Sequence, residues 1–225
     1  MTDFLIQYIE AAALFAPTWG LLLVLVFMTV ESSFIPFPSE VVMIPAGFLA
    51  ARGEMMTAIP ELDVVLAIIA GIIGSLAGAL VNYELAARLG RPFLERYGRY
   101  IFLPPPKLHR AEELFRRYGN GATFFCRLLP AIRQLISLPA GLAGMKLSGF
   151  FLWTGLGAGI WVTVLTVFGF VVGRQTNTMS YADLVHQGKA MASANLIWLA
   201  PLCVVGMVAY VLISNRIMKV DAPAG

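Results

Sequence analysis

The sequence predicts an all-α polytopic membrane protein, and three observations lead there. Of its 225 residues, 59% are hydrophobic and only 13% are charged, about half the charged share of a soluble domain. Residues 11–30, 64–83, 147–173 and 190–215 contain no Asp, Glu, Lys or Arg, and a bilayer core takes about 20 helical residues. Eight of the sixteen basic residues are gathered between residues 88 and 117. The net charge of +3 therefore reports membrane orientation and gives no reason to expect nucleic acid. Basic loops stay in the cytoplasm, which places 88–117 and the C-terminus, with Arg216 and Lys219, inside. The mixed-sign loops 52–63 and 174–189 are placed outside.

The elements follow in order. Residues 1–16 are expected to be an interfacial or membrane lead-in, and 18–31 a first membrane helix. Asp3 and Glu10 precede the run without any Lys or Arg, so the basic n-region of a cleavable signal is missing. Residues 32–51 break the pattern with "ESSFIPFPSE" at 31–40. A long helix follows at 62–88. Residues 104–118 read as a cytoplasmic interfacial helix, with Leu108, Ala111, Phe115 and Tyr118 on one face. Residues 120–146 break the pattern again, and 148–173 and 194–215 are further spans. Gly74, Gly78, Gly155 and Gly159 stand in pairs four apart, a spacing that lets helices approach closely. Internal packing is the first reading of them, and a homodimer face the alternative.

The two interruptions resemble one another. Ile44-Pro45-Ala46-Gly47 in the first matches Leu138-Pro139-Ala140-Gly141 in the second. Glu31 and Glu40 precede Pro45, and Arg127 and Arg133 precede Pro139. Each block leads into a glycine-bearing span ending in Gly-Arg, Gly90-Arg91 and Gly173-Arg174. The fold expected is an inverted repeat of two re-entrant helical hairpins, each followed by a transmembrane helix, with flanking transmembrane helices. Repeat 1 covers about 31–90, repeat 2 about 120–174, and the C-terminal span 194–215, within a single transporter domain 1–225. Pro36, Pro38, Pro45, Gly47, Pro130, Pro139 and Gly141 are the residues expected to shape the hairpins. Broken helices of this kind build transporter sites near the midplane. A charge at the bilayer centre costs roughly 2.5–3.5 kcal/mol even on the lenient insertion scale. Two carboxylates facing two guanidiniums offset that cost, so the four charges are expected to meet.

Glu31 with Pro36, Pro38 and Glu40, then "PAGFLA", "NYELAARLGRP" and "RLLPAIRQLISLPAGLAGM", resemble the bacterial DedA membrane proteins. These are relatives of the eukaryotic lipid scramblases with a VTT (SNARE-associated) domain. The resemblance implies that Glu31, Glu40, Arg127 and Arg133 are needed for function. It also implies transfer of undecaprenyl phosphate or phospholipid between leaflets, with dependence on a proton or sodium gradient. Arg127 and Arg133 are then the phosphate-binding residues, because guanidinium forks suit phosphate oxygens, and Glu31 and Glu40 the ion-coupling residues.

The expected function is a flippase for a phosphate-headed lipid, undecaprenyl phosphate first, in the bacterial inner membrane, with the C-terminus cytoplasmic. Alternatives are a phospholipid scramblase and a proton-coupled exporter of a small soluble solute. A passive scaffold is a third class, in which single charge changes are tolerated. No enzyme, cofactor or metal site is expected: His109 and His186 are isolated, Asp3, Asp63, Asp183 and Asp221 are scattered, and Cys126 and Cys203 have no metal spacing. The partners expected are the anionic lipid and the bilayer.

Overall fold

The computed structural model describes residues 2–33, 38–57, 59–97, 121–127, 133, 136–180 and 182–183. Among the described residues the helices are α1 Thr2–Ser32, α2 Glu40–Ala51, α3 Pro60–Tyr97, α4 Gly121–Arg127, α5 Ser137–Leu142 and α6 Leu147–Gln175. The described residues contain no strand. Three of the helices are long and apolar enough to cross a membrane, over Ala13–Ser32, Pro60–Gly90 and Leu147–Gln175. The expected surface helix at 104–118, the span at 194–215, Pro36, Pro130, His109, His186 and Cys203 lie outside the described residues.

Two boundaries differ from expectation. The lead-in and first helix are one continuous helix running through Pro17. Proline removes a single backbone donor and crowds one turn, and a lipid-facing backbone has no better alternative than helix. The helix expected at 62–88 extends to Tyr97, with a break at Gly90, where φ is 69°. That left-handed conformation favours glycine, and Pro92 follows directly.

By contacts the chain forms two units, residues 1–10 with 178–225, and residues 11–177. In the first, the Ser180 hydroxyl donates to Asp183 at 2.7 Å. All that follows concerns the second.

Within that unit α2 lies along α6 and also touches α3, α5 and α6 both lie on α3, and α4 lies on α6. Glycines set how close these helices come. A Cβ at Gly74 or Gly78 would strike the backbone of α1 at Leu25 and Thr29. A Cβ at Gly47 would strike the Thr166 carbonyl of α6, and one at Gly169 the Ile44 carbonyl of α2. A Cβ at Gly141 would strike the Tyr83 carbonyl of α3. Gly155 and Gly159 face Leu76 and Ile72 of α3. All four paired glycines thus serve contacts within the chain.

The core falls into two clusters. Met28, Met43, Ala46, Ala50, Ala67, Val162 and Leu165 join α1, α2, α3 and α6. Tyr83, Ile136, Ala140, Met145 and Phe150 close around α5, with the Tyr83 and Phe150 rings 4.8 Å apart. The outer faces are as apolar as the inner ones. Val65, Ile69 and Ile73 on α3, and Leu152, Leu156, Ile160, Val164 and Phe168 on α6, are exposed at helical spacing. Helices apolar on every side belong in lipid.

α2 and α5 end alike. Gly53 and Gly144 take positive φ of 71° and 62°. The next residue's amide reaches back to the helix, Glu54 to the Leu49 carbonyl at 3.0 Å and Met145 to the Ala140 carbonyl at 3.1 Å. This is the glycine cap that satisfies terminal carbonyls.

Candidate functional site

The last turn of α1 carries Glu31 and Ser32, both buried. One oxygen of Glu31 accepts from the Ser32 hydroxyl at 2.8 Å, and that hydroxyl lies 3.1 Å from the Ser75 hydroxyl of α3. The other oxygen forms an ion pair with Arg133. Glu31 and Arg133 stand 102 residues apart in the chain, so the fold makes this pair, as a buried carboxylate requires.

Arg133 has two further partners. Its Nη2 donates to the Ser39 hydroxyl at 2.8 Å, and its guanidinium lies 5.4 Å from the ring centre of Trp161, within cation–π range. The Trp161 indole N–H donates to the same Ser39 oxygen at 3.2 Å. Ser39 is fully buried at the start of α2.

Arg127 ends α4 and is 5% exposed. Gly157 of α6 makes room for it, since a Cβ there would stand 2.9 Å from the Arg127 Cβ. Its Nη2 donates to the Ser137 hydroxyl at 3.3 Å, while its Nε is buried with no hydrogen-bond partner among the described residues. No carboxylate pairs with it there either.

These groups meet at one cavity, lined by Glu31, Ser32, Ser75, Arg127, Arg133 and Trp161 among others. It offers about 20 Å³ to the centres of water-sized molecules, room for little more than one water. Two guanidiniums and one carboxylate give its wall an excess of one positive charge, which favours an anion. A phosphate group carries four oxygens, so it enters only when side chains move.

The structure thus brings Glu31, Arg127 and Arg133 together and leaves Glu40 aside. Glu40 is half-buried in the first turn of α2 and makes no ion pair or hydrogen bond among the described residues. Its neighbour Ser39 faces the arginine instead. Pro45, Gly47, Pro139 and Gly141 lie within α2 and α5, and Pro38 precedes α2, where its carbonyl accepts from Val41 at 3.1 Å. The sequence reading missed Ser39, Ser75, Ser137 and Trp161. Ser39 had a signal: it stands six residues before Pro45, as Arg133 stands six before Pro139. Trp161 had none that set it apart from Trp153. Among the described residues no cluster of His, Cys, Asp and Glu could hold a metal ion.

Residues 35–171 match the family model of the VTT domain. The chain is 41% identical over 149 residues to a Lactococcus lactis protein named alkaline phosphatase-like protein, covering 64% of this chain and 66% of that one. It is 33% identical over 138 residues to undecaprenyl phosphate transporter A of Bacillus subtilis, covering 61% and 66%. It is 26% identical over 162 residues to the inner membrane protein YqjA of Escherichia coli, covering 70% of each. The chain thus spans just under two thirds of the Lactococcus and Bacillus relatives. No solved structure matches it. With the match covering more than half of the chain, this membrane protein belongs to the VTT-domain family.

Proposed function

We propose that this protein moves a phosphate-headed lipid between the leaflets of the bacterial inner membrane, with undecaprenyl phosphate the first candidate and the C-terminus in the cytoplasm. One observation carries the reading: Arg127 is buried without a carboxylate partner among the described residues, in a cavity it shares with the Glu31–Arg133 pair. A buried cation without a carboxylate in direct contact is costly, and a phosphate would offset it. The name of the Bacillus subtilis relative points to the same lipid class.

In this reading the structure is the empty, closed state. Glu31 occupies the arginine that the headgroup needs. A proton reaching Glu31 breaks the ion pair, Arg133 is left free to pair with the phosphate, and the cavity opens as the headgroup replaces the carboxylate. The apolar tail remains against the exposed faces of α3 and α6. Loss of the proton restores the ion pair and expels the headgroup, which couples turnover to a proton gradient. A sodium ion at Glu31 would act in the same sense.

The reading includes the inverted repeat of re-entrant hairpins, and packing supports it. With Gly90 and Gly173 in register, Tyr83 of α3 corresponds to Thr166 of α6. The glycine of each Pro-Ala-Gly block abuts one of those two carbonyls, Gly47 at Thr166 and Gly141 at Tyr83. In the same register Gly74 corresponds to Gly157, and each receives the helix that precedes its block, α1 at Leu25 and Met28 and α4 at Phe124 and Arg127.

The test is reconstitution in liposomes with a labelled polyprenyl phosphate, reading headgroup accessibility with and without a pH gradient. Gradient-dependent transfer that disappears in Arg127→Met is expected. Unchanged transfer in that variant would remove the assigned role of the buried cation. Re-entrance is checked separately at exposed positions of the two blocks: a cysteine at Val41 should react with impermeant reagent from outside only, and one at Ala143 from inside only.

A further inference from the structure

We infer that Ser39 and Trp161 form a cradle that keeps Arg133 aimed into the cavity after Glu31 has released it. This rests on the anion-site reading above and adds two positioning residues to it.

A serine at a helix start ordinarily turns its hydroxyl onto the helix's own amides. Ser39 stands at the N-cap of α2 and makes no such bond. Its fully buried oxygen instead accepts from Arg133 at 2.8 Å and from the Trp161 indole at 3.2 Å. The local cap is given up for two long-range partners, 94 and 122 residues away. Trp161 contributes twice, since its ring also lies 5.4 Å from the guanidinium it helps to fix.

The geometry separates two functions. Glu31 neutralises Arg133, and the cradle orients it. A long side chain freed from its only anchor spreads over many rotamers, and that entropy must be lost again when it meets a ligand. Arg133 has three anchors from three elements, α1, the start of α2 and α6. Losing the carboxylate leaves two in place, neither of them charged. The guanidinium stays where a phosphate will meet it. Neutral anchors suit this task because they hold the arginine without competing for its charge.

The experiment uses full-length protein in which Trp161 is the sole tryptophan (Trp19→Phe, Trp153→Phe, Trp198→Phe), purified in detergent. Trp161 emission then reports on the cradle without any lipid. Glu31→Gln is expected to leave the emission maximum at its parent position. Adding Ser39→Ala to Glu31→Gln should shift it, and Ser39→Thr, which keeps a hydroxyl, should restore it. Titration with farnesyl phosphate should show apparent Kd weakened about fivefold to tenfold by Ser39→Ala in the Glu31→Gln background. The cradle is overturned if Glu31→Gln alone shifts the emission as far as the double variant, or if Ser39→Ala leaves emission unchanged. Thermal melts that match across the series exclude misfolding as the source of a shift, and Ser39→Thr decides the matter if Ser39→Ala melts early. If emission follows the expected pattern while no variant binds farnesyl phosphate, the cradle stands and the anion-site reading falls.

Discussion

The short helices α2 and α5 share a Pro-Ala-Gly core, a glycine cap and a glycine seated against a backbone carbonyl of a long span. They differ in length, twelve residues against six, and in what ties their ends. Arg52, just past α2, pairs with Glu54 at 3.0 Å and donates to the Thr176 carbonyl at 3.0 Å, where α6 ends. At the end of α5, the Tyr83 hydroxyl donates to the Met145 carbonyl at 2.5 Å. They differ again at their starts, where Ser39 leads α2 and Arg133 stands before α5. The two elements teach that one backbone device can be built twice while the chemistry lives at its ends. The Pro-Ala-Gly segment sets how closely each helix seats, and the residues ahead of it decide whether the block supplies a cation to the cavity or a hydroxyl that holds that cation.

The largest expected effect breaks the shared device. Gly47→Val and Gly141→Val should each destabilise the protein by about 3 kcal/mol or more, because the new atoms meet backbone that cannot step aside. Thermal melts in detergent check this. Gly121→Ala is the control: a Cβ there meets nothing within 4 Å among the described residues, and a change under about 0.5 kcal/mol is expected. Severe loss at one site with tolerance at the other would end the comparison.

Next come the starts of the two helices. Arg133→Lys and Arg127→Lys keep charge but lose the fork, and each should lower lipid transfer about tenfold or more at matched expression. Full activity in both would mean that positive charge alone suffices.

Glu31→Gln should sharpen the contrast between Glu31 and Glu40. If a proton at Glu31 frees Arg133, as proposed above, wild-type headgroup binding should strengthen as pH falls. Glu31→Gln should bind tightly throughout and lose part of that pH response, with gradient-driven turnover abolished. Glu40→Gln, outside the cavity, should keep the wild-type pH response. Binding and transfer measured on the same preparations decide between the two glutamates.

The smallest effect concerns the ends. Arg52→Gln should cost about 0.5–1 kcal/mol, the scale of a partly solvated pair, with transfer retained. A melt unchanged by this substitution would show that the tie to Thr176 contributes nothing.

Much of this architecture was legible in the sequence. Charge-free runs located the three spans, because lipid excludes charge in proportion to length. The cost of leaving buried charges alone led to the expectation that both glutamates face both arginines, of which the described residues form the Glu31–Arg133 pair. The choice between Ser39 and Glu40 was legible only through the repeat, where Ser39 takes the place of Arg133, and not from the local sequence. Successive helical residues point about 100° apart, so which of two neighbours faces inward depends on where the helix begins. That start is fixed by the tertiary bonds of Ser39, which no local pattern records. The length of α2 was hidden for a similar reason: the cap glycine comes three residues later after Gly47 than after Gly141, a spacing with no meaning until the partner helix is in place. The continuity of α1 through Pro17 was masked by a rule learned from water, where a broken helix can be solvated.

The reciprocal seating of α2 on α6 and α5 on α3 has a consequence for biosynthesis. When the ribosome has delivered α1, α2 and α3, the groove against which α2 seats does not yet exist, and the arginine that neutralises Glu31 has not been made. The nascent chain holds a carboxylate and a proline-bearing helix in the bilayer ahead of their partners. Until Arg133 arrives, Glu31 lacks the ion pair that the finished fold gives it. A break between α3 and α4 separates two pieces that each lack a wall, so severed halves should be degraded when made alone and recovered when made together.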